Sequence, residues 1–206
     1  RPSTSAGGTP NRHAYDQWGD VLTEVLSRAA TLELPGWYVT AGCPFQIVWN
    51  VVTGRPPTSG IKDYDFFCFD GGDLYWEAED TVLKAGRKVF AGLPAEVGIR
   101  NEARVHLSYQ DKFGLPCPPY DSTEAAIDSF AATTCCLGIR VEVDGRWLVH
   151  APHGLSDVFN LVVRPNPMLA PRALYEISVG GPAPWRMPAA TGREKEGGLR
   201  RRAGSE

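Results

Sequence analysis

Two carboxylates placed two residues apart at the head of an aromatic, β-prone run constrain this chain more than any other feature. Ile61–Phe69 reads Ile-Lys-Asp-Tyr-Asp-Phe-Phe-Cys-Phe. On a strand, residues i and i+2 share a face. Asp63 and Asp65 are therefore expected to project together, with Tyr64 and Phe66 on the opposite face. Phe67 and Phe69 continue the carboxylate face inward as core. Adjacent like charges repel, and a cation resolves the repulsion. Mg²⁺ prefers oxygen ligands and takes one or two carboxylates plus substrate phosphates. The same spacing also fits a strand leaving a polar turn with both acids solvated, so spacing alone leaves the two readings open.

The rest of the composition narrows the setting. A chain of 206 residues is expected to form one domain with tails. A formal net charge of -3 provides no global basic field for nucleic acid, although a local basic patch stays open. The five cysteines have no regular spacing, and most sit in apolar company, which suits reduced thiols used as small hydrophobes. The adjacent pair Cys135–Cys136 lacks zinc-ligand spacing. With no signal-peptide pattern at the start, a reduced cytoplasmic location is expected. No apolar run approaches the ~20 residues that cross a bilayer, so no membrane association is expected. The first residue is Arg1 rather than Met, which places the expected natural start upstream.

Residues 1–12, rich in Ser, Thr, Gly and Pro, are expected to be a disordered lead. From His13 to Leu32, apolar residues recur at helical spacing and predict an amphipathic helix stopped by Leu34-Pro35-Gly36. Trp37–Ala41 predicts a short strand ending at Gly42-Cys43, and Pro44–Thr53 predicts a helix. Strand, glycine turn and helix N-terminus together form a natural anion site, though most such turns bind nothing. Gly54–Gly60 is a loop. Leu74–Phe90 predicts a helix, and Ala95–Tyr109 is expected to be mostly extended, with Arg100, Glu102, Arg104 and His106 on one polar face. A short helix follows at Thr123–Phe130, capped by Ser122. Cys136–Val143 and Arg146–His150 predict a hairpin around Asp144-Gly145. A helix is expected at Leu155–Val162, ended by Arg164-Pro165-Asn166-Pro167. Residues 180–206, without any apolar period, are expected to be a disordered tail.

Several stretches, in order, resemble one family of small, poorly characterised bacterial proteins with the nucleotidyltransferase fold. They include Trp37–Cys43, Val48-Trp49-Asn50, Asp63-Tyr64-Asp65, Asn101–Leu107, Pro119–Ser122, Gly154–Phe159 and Val163–Asn166. The resemblance spans roughly residues 15–176. It implies an α+β fold, a mixed β-sheet flanked by helices, within a domain at 13–179. It also implies that the Gly42-Cys43 turn holds nucleotide phosphates and that Asp63 and Asp65 hold Mg²⁺ or Mn²⁺, for transfer of a nucleotidyl group from an NTP to an acceptor hydroxyl.

Active members of that superfamily usually add a third acid on a neighbouring strand. The corresponding strand is expected at Ala103–Leu107, where His106 stands near the position and Glu102 shares its face. His106 is then a candidate general base and Glu102 a candidate third metal ligand, with hydrogen-bonded polar groups beside the sheet as the alternative. Asn50, facing back toward the turn, is a candidate nucleotide contact or a packing residue, and Arg104 a candidate phosphate or acceptor clamp. Asn101, Tyr120 and Ser122 are placed on the acceptor side by the resemblance alone. Asp157 and Arg164 suit the two poles of their helix. The net charge favours a small-molecule acceptor over nucleic acid. The alternative function is a catalytically impaired nucleotide-binding or partner-binding module on the same fold. Ile177–Glu206 departs from the family's helical, Trp-containing C-terminus; a shifted reading frame or a divergent end accounts for such a change.

Overall fold

The structure is a computed structural model and describes residues 20–166, 168 and 185–186. Its centre is a five-stranded mixed sheet, ordered β3-β2-β1-β4-β5. The strands are β1 (Tyr38–Thr40), β2 (Asp63–Cys68), β3 (Glu96–Asn101), β4 (Gly138–Val141) and β5 (Trp147–His150). Only the β2–β3 pair is parallel; its crossover is the helix α3 (Trp76–Val89). The other pairs are antiparallel, and β4–β5 is the hairpin expected around Asp144-Gly145.

Alternation along β2 builds the two faces of the sheet. Tyr64, Phe66 and Cys68 enter the main core, where the apolar stripe of α1 (Asp20–Ala30) covers them. Leu22, Val25, Leu26 and Ala29 form that stripe at the i, i+3, i+4, i+7 spacing of an amphipathic helix, and all are buried. The helix α3 packs closely because residue 86 is glycine: a Cβ there would collide with Ile99 Cδ1. On the opposite face Phe67 joins Tyr38, Ile127 and Cys136 in a smaller core. At the other end of that face Asp63 is exposed and Asp65 half-buried.

The structure differs from the sequence expectation beyond Asn101. Instead of a strand through Leu107, Glu102–Arg104 forms a 3₁₀ turn and α4 spans His106–Phe113. The cause lies in the ladder. β3 is an edge strand with β2 as its single neighbour, and the last paired residues are Cys68 and Asn101. Beyond that pair no strand offers partners to the backbone, whose polar groups turn inward to helical bonds. The Asn101 side chain starts the turn by accepting from the Ala103 amide at 3.2 Å.

The helix α2 covers Gly42–Val52, α5 covers Thr123–Asp128 and α6 covers Ser156–Phe159. The expected Leu155–Val162 helix is cut to one turn because Val162–Val163 forms β6. That strand pairs antiparallel with β7, Trp185–Arg186. These two residues are the described part of the region expected to be a disordered tail; the rest of it, the lead at 1–12 and the expected helical residues 13–19 lie outside the described residues. No helix among the described residues is long and apolar enough to cross a membrane.

Candidate functional site

The site is built where β1 runs out. Ala41 follows with φ 60° and ψ -125°, a backbone conformation that non-glycine residues rarely take. Such strain costs about 1–3 kcal/mol. It turns the chain sharply enough for α2 to begin at the next residue. No side chain caps this helix. The amides of Gly42, Cys43 and Phe45 therefore belong to an uncapped first turn, at the positive end of the helix dipole, while Pro44 has no N–H to offer.

The carboxylates stand beside this bend. Thr40 pairs directly with Asp65 in the antiparallel ladder, so the bend begins one residue beyond the aspartate's cross-strand partner. A cleft of about 170 Å³ lies between the start of α2 and the Gly60–Asp63 segment, lined by Gly42, Cys43, Gln46, Lys62 and Asp63 among others. Lys62 adds a cation at its rim. The sequence reading does not single it out, although a lysine directly before the acid pair, at the exit of a glycine-ended loop, is a visible signal.

The charges act on each other. The buried Cys43 thiol is pushed well above its ordinary range, first by burial and then by Asp65 and Asp63, so both carboxylates bear on the residue after Gly42. Cys43 is held as a neutral thiol and is no nucleophile at neutral pH. Asp65 is itself raised by burial and by Asp63, with Arg100 acting in the opposite sense. Glu102 is pushed up to about 8, chiefly by burial; Arg100 lowers it and Asp65 raises it. Its Oε1 is buried without a hydrogen-bond partner. Arg100 thus faces Asp65 and Glu102 together, another residue whose part in the site the sequence reading leaves out.

Asp63 and Asp65 offer the oxygen ligands that a hard cation prefers. Gly98 stands opposite Asp65 in the β2–β3 ladder, and a Cβ on it would lie 3.7 Å from Asp65 Oδ1. The space beside the carboxylate is kept free by the missing side chain. Two carboxylates on one strand face, one with open space beside it, fit a divalent ion that is also held by phosphate oxygens. Among the described residues no three His, Cys, Asp or Glu side chains converge to hold a metal. Glu102 is therefore not gathered with Asp63 and Asp65 into a three-ligand set.

The remaining candidates are placed as follows. His106 opens α4 rather than lying on a strand; its Nδ1 is buried without a partner, and it makes no hydrogen bond or ion pair with either aspartate. Asn50 is fully buried and its amide is used within the protein. Nδ2 donates to Pro57 O at 2.8 Å and Ser59 O at 2.7 Å, and Oδ1 accepts from Gln46 Nε2 at 3.0 Å. It staples the loop that leads into Asp63, and a nucleotide contact by Asn50 does not fit this arrangement.

Arg104 is turned away as well. Its guanidinium pairs with Glu79 and lies over the Trp76 ring, and Nε donates to Leu74 O at 3.0 Å. Those partners belong to α3 and the turn before it, so the clamp expected of Arg104 is replaced by an anchor for the 3₁₀ turn. Asn101 and Ser122 cap their helical turns, and the Tyr120 hydroxyl bonds Ser129 Oγ at 2.6 Å. Asp157 and Arg164 pair with each other at 2.6 Å.

A strand, a strained bend, an uncapped helix and a paired-acid strand stand together in an α+β fold. A family model described as nucleotidyltransferase matches residues 27–181, and the chain belongs to that family of transferases. One similar solved structure is described as revealing a CCA-adding enzyme head domain. It aligns with a TM-score of 0.62 at 21% identity, covering 79% of this chain and 82% of that one, a likeness of fold. No curated protein matches the chain.

Proposed function

We propose that the protein moves a nucleotidyl group from a nucleoside triphosphate to an acceptor hydroxyl, with Mg²⁺ or Mn²⁺ held by Asp63 and Asp65. The observation that carries this reading is the shared cleft: Gly42 and Cys43 of the bend, Lys62 and Asp63 line one space, with Asp65 paired across from Thr40. In the reaction an acceptor oxygen attacks the α-phosphorus, the bond to the bridging oxygen of the β-phosphate breaks, and pyrophosphate leaves. Most of the catalysis in such a displacement is positioning and charge neutralisation. The amides of the α2 start and the Lys62 ammonium would hold the outer phosphates. Charge neutralisation on the phosphate oxygens is what a divalent ion supplies when bound.

Asp65, half-buried between the bend and Gly98, fixes where the α-phosphate sits. The proton of the acceptor needs a base. His106, which opens α4, is the candidate. The acid pair and a net charge of -3 favour a small-molecule acceptor over a polynucleotide. The five free cysteines suit a reducing cytoplasmic setting.

One observation favours the second reading, a nucleotide-binding module with impaired catalysis. Arg100 places positive charge beside Asp65 and Glu102, where a further cation would otherwise be drawn. Incubation with α-labelled NTPs, Mg²⁺ and cell extract separates the two. Label transfer by the wild type that is lost in a folded Asp65→Ala variant supports the enzyme. Equal transfer by both proteins rules out the metal role, and nucleotide binding without transfer supports the module.

A further inference from the structure

The helix α3 carries opposite charges at its two ends. Glu77 and Glu79 stand in its first turn, Arg87 and Lys88 in its last. Glu79 is used by Arg104, and Asp80 pairs with Lys84 within the helix. Glu77, Arg87 and Lys88 are exposed and form no ion pair among the described residues. Acids at the start and bases at the end suit the helix dipole, so the charges by themselves ask for no partner.

The residues that open the helix do. Leu74, Tyr75 and Trp76 are 36%, 78% and 56% exposed, three large apolar side chains in a row beside Glu77. Tyr75 is also the N-cap of α3, a place where Ser, Thr, Asp or Asn would bond a free helix amide, and its side chain makes no such bond. The position presents an aromatic ring to solvent instead of a cap. The Trp76 ring already takes the Arg104 guanidinium, 5.6 Å from its centroid, and the rest of its surface is open to a second cation.

We propose that this surface binds a second copy of the chain, with α3 lying antiparallel to its counterpart about a two-fold axis. Both halves of the match are on one helix. Glu77, Thr81, Lys84 and Lys88, at the i, i+4, i+7, i+11 spacing of a single helix face, are all exposed. That set is its own complement when the axis passes between Val82 and Leu83. Glu77 then meets Lys88 of the second copy, and Thr81 meets Lys84, whose charge Asp80 already balances.

Glu77 and Lys88 are about 16 Å apart along the helix, so the two ion pairs form at opposite ends of the seam. An isologous pairing of this kind closes on itself and stops at two copies. At each end Tyr75 and Trp76 lie against the last turn of the other helix. There the apolar stems of Arg87 and Lys88 cover the rings and their charges approach the ring faces. The helix packs on the sheet face that carries Tyr64, Phe66 and Cys68, opposite the face of Asp63 and Asp65, so the dimer leaves the cleft open.

The test is sedimentation equilibrium of the whole chain across the micromolar range, on wild type, Glu77→Lys, Lys88→Glu, the two together, and Tyr75→Ser. Wild type is expected to form a dimer that added salt weakens. Either single reversal sets like charges against each other at both ends of the seam and should abolish association. The double variant restores both ion pairs with their sense exchanged and should dimerise again. Tyr75→Ser removes the ring and supplies a cap, so the dimer should dissociate about tenfold more readily while the melting temperature holds or rises. A monomeric wild type overturns the proposal and leaves the aromatic patch to a different partner. A dimer that survives both single reversals overturns it as well, as does a double variant that stays monomeric while its melting transition shows it folded.

Discussion

Thr40 and Asp65 are cross-strand partners, the last pair of the β1–β2 ladder. One residue beyond Thr40 the backbone enters the strained Ala41 bend, and two beyond it α2 begins. The pairing thus ties the position of an acid to the position of a helix N-terminus through a single ladder contact. Slipping the ladder by one residue would move Asp65 to the core face and Phe66 to the cleft.

The space beside Asp65 depends on the hydrogen atom that serves as the Gly98 side chain. Gly98→Leu is expected to fill that space and abolish label transfer. The position is on an edge strand, so the melting temperature should change by only a few degrees. Transfer at the wild-type rate would show that the ion and phosphate do not lie there.

Glu102 gives the protein a pH signature. Its carboxyl stays protonated in the folded state up to about 8, against an ordinary value near 4.5 in the unfolded chain. Between those values the unfolded state releases a proton that the folded state keeps, so stability falls as pH rises through this window. Denaturant midpoints measured in chelator from pH 5 to 8 should decline for the wild type and flatten in Glu102→Gln. Parallel profiles would place the decline elsewhere.

Removing the Asn50 staple should act on both fold and site. Asn50→Ala leaves Pro57 O and Ser59 O without their donor inside a tight loop. A loss of about 1–3 kcal/mol is expected from denaturation curves. Because that loop leads into Lys62 and Asp63, KM for the NTP should rise more than kcat falls.

Arg104 separates the anchor from the clamp. Its side chain is 17% exposed and its partner Glu79 16%. Arg104→Ala is expected to lower stability by about 3 kcal/mol, the cost of stranding one member of a part-buried pair. KM for the NTP in the folded fraction should stay within about twofold. A tenfold rise in KM without a stability change would restore the phosphate-clamp role.

The β2 strand and its acid pair were legible in the sequence because a period of two decides the face of each side chain, whatever lies around it. The helix after β1 was legible because Pro44 suits a first helical turn, but the bend falls on Ala41, one residue before the turn expected at Gly42-Cys43. The end of β3 was not, because it is set by where β2 stops, some thirty residues earlier in the chain. The fates of Asn50 and Arg104 depend likewise on partners brought close by the fold: a loop carbonyl pair and a glutamate on α3. Charge and polarity made both look available, and packing used them up.

Mn²⁺ binding, followed by electron paramagnetic resonance with and without an α,β-methylene NTP, tests most directly whether the acid pair and the helix bend hold one ion-bound triphosphate. Wild type should bind Mn²⁺ more tightly when the analogue is present, and Asp65→Asn should abolish that gain while keeping its fold. A gain of the same size in Asp65→Asn, or no gain in the wild type, would contradict it.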